Sequence, residues 1–271
     1  MSIRLVISDV DGTLVNKAKA LTQPTIDAVH RLRAAGVGFT LISARPPSGL
    51  IPLAAPLGLT EPVGAFNGGT LCTVDGTVTE QHLVPEHVVR GMFDLAEGTG
   101  AVPWIFADGL WYARVMEGLH VDHERVASAQ EPVHLDDMTS LYAKVDKLSW
   151  VSDDAPMLRD LTARAQAKFG ADATIGQSQT YYLDVTHIRA NKGDGIATLA
   201  AAFGCSLEEV AVMGDMPNDL PMFARAGLAI AMGQAPEEVR SKARYVSTSN
   251  DEDGVAHAID TILLPMIGKP R

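Results

Sequence analysis

The stretch RLVISDVDGTLV, Arg4 to Val15, constrains this chain more than any other. Leu5 to Val10 reads as a buried strand, yet Asp9 stands at its end and Asp11 follows two positions later, before a sharp turn at Gly12. A buried carboxylate is costly unless it is paired or bound to a cation. A fold that ends an apolar strand in two carboxylates must therefore bring compensating charge to that strand end from elsewhere in the sequence.

The order of the remaining elements allows this. A helix is expected over QPTIDAVHRLRAAG, opened by Thr22 or Gln23, with Pro24 in its first turn, Gly36 at its close, and Ile26, Val29 and Leu32 along one face. GFTLISAR (Gly38 to Arg45) is a second strand and again ends in polar residues, Ser43 and Arg45. PVGAFNGG (Pro62 to Gly69) reads as a third strand, and TLCTVDGTVTE as a hairpin turning at Asp75-Gly76. From about Gln81 the texture changes to a helix followed by two strands, twice over, with a second hairpin turn at Asp108-Gly109. That is an α+β pattern. Beyond Ile188 strands and helices alternate again, through KGDGIATLAAAFG, EVAVMGD, NDLPMFARAG, LAIAMG, PEEVRSKA and RYVSTS. The expectation is a discontinuous α/β core over 1–81 and 189–271, doubly wound around a mainly parallel, Rossmann-type sheet, with an inserted α+β cap domain over 82–188. Ligands of such a sheet bind outside the C-terminal ends of its strands.

Bulk properties narrow the partners. A formal net charge of −11 disfavours nucleic acid and anionic membrane surfaces, though a local site for a small anion remains compatible with it. No apolar run approaches the roughly 18 residues of a membrane span. The start of the chain lacks the apolar stretch and small-residue cleavage site of a signal peptide, and Cys72 and Cys205 are too few for a disulfide framework. These features lead us to expect a soluble, cytoplasmic protein with reduced thiols. Composition says nothing about oligomeric state.

Four polar clusters fall at strand ends or helix starts of the expected core: Asp9/Asp11, Ser43/Arg45, Asn191/Lys192, and Gly214-Asp215 with Asn218-Asp219. On one edge of a parallel sheet they converge, and converged carboxylates call for a hard divalent cation, with Mg²⁺ preferring a few carboxylates, waters and a phosphate oxygen. Singly, each cluster has a plain structural reading as a turn, a helix cap or a solvated charge; in this order and placement they do not. His120 and His123 have a spacing seen in metal pairs but no evident third ligand, and read as exposed histidines. Trp104, Trp111 and Tyr112 read as packing residues around one hairpin, from which Arg114 is a candidate substrate contact.

DVDGT after an apolar strand, a Ser ending the second strand, a Lys opening a late helix, and GDMPND together resemble the haloacid dehalogenase-like superfamily. FNGG, NKGDG and the position of the insertion resemble its Cof-type group of sugar-phosphate phosphatases. One departure is ISAR, where a Thr-Gly-Arg pattern is expected; Ser43 keeps the hydroxyl while Ala44 replaces the glycine. The resemblance implies a Mg²⁺-dependent phosphatase acting on a small phosphorylated metabolite. Asp9 would be the nucleophile and Asp11 the acid and base, neutral when substrate binds. Asp9, the Asp11 carbonyl and Asp215 would hold the metal, with Asp219 behind them. Ser43, Lys192 and Asn218 would bind the phosphoryl group, and Arg45 is a further candidate substrate contact. A phosphomutase of the same superfamily and a non-catalytic phospho-acceptor module are the alternatives.

Overall fold

A computed structural model describes residues 2–267. Fourteen strands are assigned in it. Three precede the first hairpin, β1 (Leu5–Ser8), β2 (Gly38–Leu41) and β3 (Val63–Ala65), and the hairpin is β4 (Thr70–Cys72) and β5 (Val78–Gln81). The middle of the chain holds β6 (Val102–Ala107), β7 (Leu110–Ala113), β8 (Val133–His134), β9 (Val145–Val151), β10 (Ala173–Gln179) and β11 (Tyr182–His187). The last are β12 (Val210–Gly214), β13 (Leu228–Ala231) and β14 (Tyr245–Val246).

The first sheet has the order β14-β13-β12-β1-β2, and every pairing in it is parallel. Its strands are buried on both faces, and the period-2 alternation divides their side chains between two cores. Val6, Phe39, Ala211 and Met213 meet Ala28, Val29 and Leu32 of α1 (Gln23–Ala34). On the opposite face Leu5, Ile7, Val210 and Val212 meet Ile196 and Leu199. This is the doubly wound α/β architecture expected from the alternation of elements. The chain leaves β1 towards β2 on one side and returns at β12 to its other side, so the strand order reverses between β1 and β12. Ligands of open α/β sheets bind at such a reversal.

The third expected strand is shorter than the sequence implies. Ile42 and Gly64 form a single parallel bridge, but β3 stops at Ala65 because Phe66 and Asn67 turn to positive φ, +48° and +59°. Their N–H groups donate to the carbonyls of Arg45 and Ser43, at 3.0 and 2.7 Å. The turn thereby fixes the loop that carries both residues.

The middle segment forms a second sheet, β10-β11-β9-β6-β7-β8, antiparallel except for the short β7–β8 pairing. α3 (Glu86–Ala96) and α5 (Ala155–Phe169) cover one face, where Val88, Met92, Leu158 and Leu161 pack on Ile105, Leu148 and Leu183. Trp104 and Trp111 meet edge to face at 4.9 Å on the other side of this sheet, as packing residues. Lys147, Ser149, Tyr182 and Asp184 alternate onto that same side.

Among the helices not expected from the sequence are α2 (Pro47–Ala54) and α4 (Val121–Ser128). They join the two sheets. Ser48 Oγ donates to the Ser128 carbonyl at 2.5 Å, and Gln130 donates to Ser48 Oγ at 2.7 Å while accepting from the Trp111 N–H. Gly49 is required between them, since a Cβ there would run into the Ala127 carbonyl. No helix among the described residues is long and apolar enough to cross a membrane.

Candidate active site

The end of β1 and the end of β12 lie side by side, with Ser8 opposite Met213 in register. Asp9 and Asp215 follow directly, and the Asp9 N–H donates to the Met213 carbonyl at 2.9 Å. Carboxyl oxygens of Asp9, Asp215 and Asp219 lie within 4.8 Å of one another, all three residues buried. Lys192, the first residue of α6 (Lys192–Ala202), places its ammonium 2.5 Å from Asp9 Oδ1 and 2.5 Å from Asp219 Oδ1. Asn191 caps that helix by accepting from the Asp194 N–H at 3.0 Å, which sets the lysine's direction of entry. The other oxygen of Asp219 accepts the N–H groups of Asp215 and Met216, at 2.8 and 2.9 Å. These bonds replace the expected helix start at Asn218 with a tight turn over Pro217–Asp219.

Charge in this cluster is unbalanced. Burial pushes the Asp9 carboxyl well above the ordinary carboxylate range despite the lowering pull of Lys192, and the charges of Asp219 and Asp215 add to the rise. Asp215 is pushed up to about 6 by burial and by Asp219, against hydrogen bonds from Thr13 and Gln234. The Lys192 ammonium is held above its ordinary range because both carboxylates outweigh the effect of burial. Three carboxylates against one ammonium leave an excess of two negative charges.

Asp11 stands apart from this cluster. Arg45 grips its carboxylate with two bonds of 2.7 Å, from Nε and Nη2, and Lys19 Nζ lies 2.6 Å from Oδ1. Burial alone would raise its pKa, but the two cations outweigh burial and hold the carboxyl well below the ordinary range. In this structure Asp11 is therefore an anion, whereas the resemblance implies a neutral acid at substrate binding. Between Asp9 and Asp11, Gly12 adopts φ +80°, and a Cβ there would run into the Asp215 carboxylate. Gly12→Ala is expected to cost about 1–3 kcal/mol of stability through the positive φ and to displace Asp215. Denaturant unfolding and cation titration of the variant measure the two effects separately.

Asp9 and Asp11 open into a cavity of about 90 Å³ between the two sheets. The first sheet's loops also contribute Lys19, Ser43, Arg45 and Asn218; the second contributes Glu124, Lys147, Gln179 and Tyr182. Ser43 is buried and accepts the Arg45 N–H at 3.2 Å; Asn218 is exposed at the rim. Of the four core clusters, Asp9, Asp11, Ser43, Arg45 and Asn218 line this cavity, Lys192, Asp215 and Asp219 gather around Asp9, and Asn191 serves as the cap of α6. Arg114 lies elsewhere. Its Nε donates to the Asp136 carbonyl at 2.8 Å, its guanidinium lies over Phe93, and it borders a separate depression. Of the two histidines expected to be exposed, His120 is half-buried, stacking on Tyr181 at 3.7 Å and bonding Asp153, while His123 is exposed and borders the cavity. Sequence reading missed Lys19, Gln234, Glu124 and Lys147, and gave Thr13 no role although it closes DVDGT. The first four have no motif, because each reaches the site from a loop or an element whose register only the fold defines.

Comparison with known proteins agrees with this geometry. The profile of the haloacid dehalogenase-like hydrolase family matches residues 6–259. A Haemophilus influenzae relative, named as a phosphatase without a substrate, is 29% identical over 94% of this chain and 97% of its own. The pyridoxal phosphate phosphatase YbhA of Escherichia coli is 26% identical, covering 97% of this chain and 100% of its own. The crystal structure of a haloacid dehalogenase-like hydrolase from Bacteroides thetaiotaomicron superposes with a TM-score of 0.86 at 26% identity, over 97% of this chain and 100% of that one. With its sheet order, its strand-end carboxylates and a match along nearly its whole length, the chain belongs to the haloacid dehalogenase-like hydrolases, in their Cof-type group.

Proposed function

We propose that this protein hydrolyses a small phosphorylated metabolite, a sugar phosphate foremost, through an aspartyl-phosphate intermediate on Asp9, with Mg²⁺ bound. That the chain is a phosphoric monoester hydrolase follows from its family and its phosphatase relatives, and removes the non-catalytic alternative. The substrate class draws support from relatives named for pyridoxal phosphate and for a phosphoribitylamino-uracil, both small phosphate esters. The observation that carries the reading is the meeting of Asp9 and Asp11 in one cavity, backed by Asp215 and Lys192.

The residues fit a hard divalent cation. The excess of two negative charges sits on buried oxygen donors, the ligand type Mg²⁺ takes. Asp9, Asp215 and the Asp11 main-chain carbonyl would hold it; both oxygens of Asp219 are already engaged, which makes Asp219 a positioning residue. When bound, the ion supplies charge neutralisation at the phosphoryl oxygens.

The chain's own residues would act as follows. One Asp9 oxygen attacks phosphorus and the bond to the leaving oxygen breaks, while Asp11 gives that oxygen a proton. Water then attacks phosphorus, its proton passes to Asp11, the bond to Asp9 breaks, and inorganic phosphate leaves. Ser43, Asn218 and Lys192 stabilise the charge on the phosphoryl group. Asp11 needs a proton for the first step, and an incoming phosphoryl dianion competes with it for Arg45 and Lys19, weakening the clamp that keeps it ionised. In this reading residues 82–188 are a cap over a core of 1–81 and 189–271.

Phosphate release from an aryl phosphate tests the proposal. Activity is expected to vanish with a chelator and to return with Mg²⁺, while Ca²⁺ restores little because its looser coordination misplaces the attacking oxygen. Full turnover in excess chelator would overturn the metal assignment.

A further inference from the structure

Glu124 is a buried carboxylate that stability does not explain. It occupies the inward side of α4 at 6% exposure, on the wall of the cavity opposite Asp9 and Asp11. Its only side-chain hydrogen bond among the described residues is a long one, 3.3 Å from the Tyr182 hydroxyl to Oε2. Among the described residues Oε1 has no hydrogen-bond partner, and no lysine or arginine lies within 4.0 Å of the carboxylate. Burial pushes its carboxyl up to about 7. Left like this, the group opposes folding.

Lys147 stands on the same wall, with 8% of its side chain exposed. Its ammonium meets Asp184 Oδ1 at 3.2 Å and lies 5.5 Å from the centre of the Phe106 ring. Asp184 is already held by the Ser149 hydroxyl at 2.6 Å. An ammonium carries three donors, and Asp184 takes one. The wall therefore presents an acceptor without a donor beside donors without an acceptor.

We propose that Glu124 and Lys147 are the specificity-determining pair for the leaving group and select one that carries several hydroxyls, Glu124 accepting hydrogen bonds from them and Lys147 donating to them. This rests on the phosphatase reading above. A hydroxyl both donates and accepts, so a polyol chain satisfies both groups at once. A leaving group with its own ammonium would suit Glu124 but would face Lys147. A hydrocarbon leaving group would keep both charged groups dry and unpaired, the situation that rejects substrates most strongly.

The test compares sorbitol 6-phosphate with n-hexyl phosphate, which have the same carbon count and differ in hydroxyls. The intact protein is expected to favour sorbitol 6-phosphate in kcat/KM by about 100-fold or more. Glu124→Gln keeps the side chain's shape and is expected to shrink that ratio about tenfold or more. Lys147→Met with Asp184→Asn, which does not strand the Asp184 carboxylate, should shrink it likewise. Both substrates are measured on one preparation, so the ratio does not depend on the fraction of the variant that folds. An intact protein that hydrolyses both esters equally well, or variants whose ratio is unchanged, would overturn the subsite and leave the phosphatase reading standing. Release of phosphate from neither ester and from no aryl phosphate would overturn the phosphatase reading and the subsite with it.

Discussion

Asp9→Asn is expected to lower hydrolysis of aryl and alkyl phosphates alike by about 10⁴-fold or more, because an amide cannot form the acyl phosphate on which both half-reactions depend. No burst of leaving group should precede the residual turnover. The loss will not come from unfolding. The Asp9 carboxyl is pushed upward by burial and by two neighbouring carboxylates, so its ionised form opposes folding at neutral pH when no second cation is present. A neutral isostere removes that opposition, and the cation-free variant should unfold at a higher temperature than the parent. Scanning calorimetry with and without Mg²⁺ checks this, and a variant that melts lower in both conditions would show that Asp9 serves the fold.

Asp11→Asn separates the two half-reactions. The nucleophile remains, and so does any metal contact through the main-chain carbonyl; the proton donor and the base for the second step are gone. An alkoxide needs that proton to leave, whereas a nitrophenolate does not. The variant should release about one equivalent of nitrophenolate in a burst and then turn over slowly, while an alkyl phosphate loses about 10²–10⁴-fold. The structure adds a second consequence. Arg45 and Lys19 lose the anion they clamp, so both become free to hold a phosphoryl group, and inorganic phosphate should inhibit this variant at lower concentration than the parent. A burst from the Asp9 variant and none from the Asp11 variant would mean that the roles are exchanged.

The residues proposed for the catalytic centre were legible because they mark the ends of regular elements. Asp9, Ser43, Lys192 and Asp215 each follow a strand or open a helix that periodicity identifies, and a parallel sheet gathers such ends on one edge. The opposite wall was not legible, and α4 shows why. Its buried positions are Val121, Glu124, Ala127 and Ser128. A carboxylate and a hydroxyl occupy half of the inward stripe, and the helix is bounded on each side by left-handed residues, His120 and Ala129, rather than by cap or glycine signals. Hydrophobic periodicity cannot find a helix whose inward side is built for a ligand. Arg114 failed in the opposite way: a charge beside a hairpin in the right segment gives no hint of which side of the sheet it occupies. The state of Asp11 was hidden for a third reason, since Lys19 comes from a loop with no periodicity at all.

The pairing of β1 with β12 also sets a timetable. Leu5 is synthesised some 200 residues before its partner Val210. Until then one edge of β1 is bare, Asp9 lacks Asp215, and the strand can only pair with β2. The antiparallel middle segment has its own apolar core and is made entirely within that interval, so it is free to form first and to stand as a finished body beside an open sheet. Contacts so distant along the chain close slowly. A chain broken between Asp11 and Asp215 therefore carries the proposed nucleophile, Asp9, without the carboxylate proposed to share its cation.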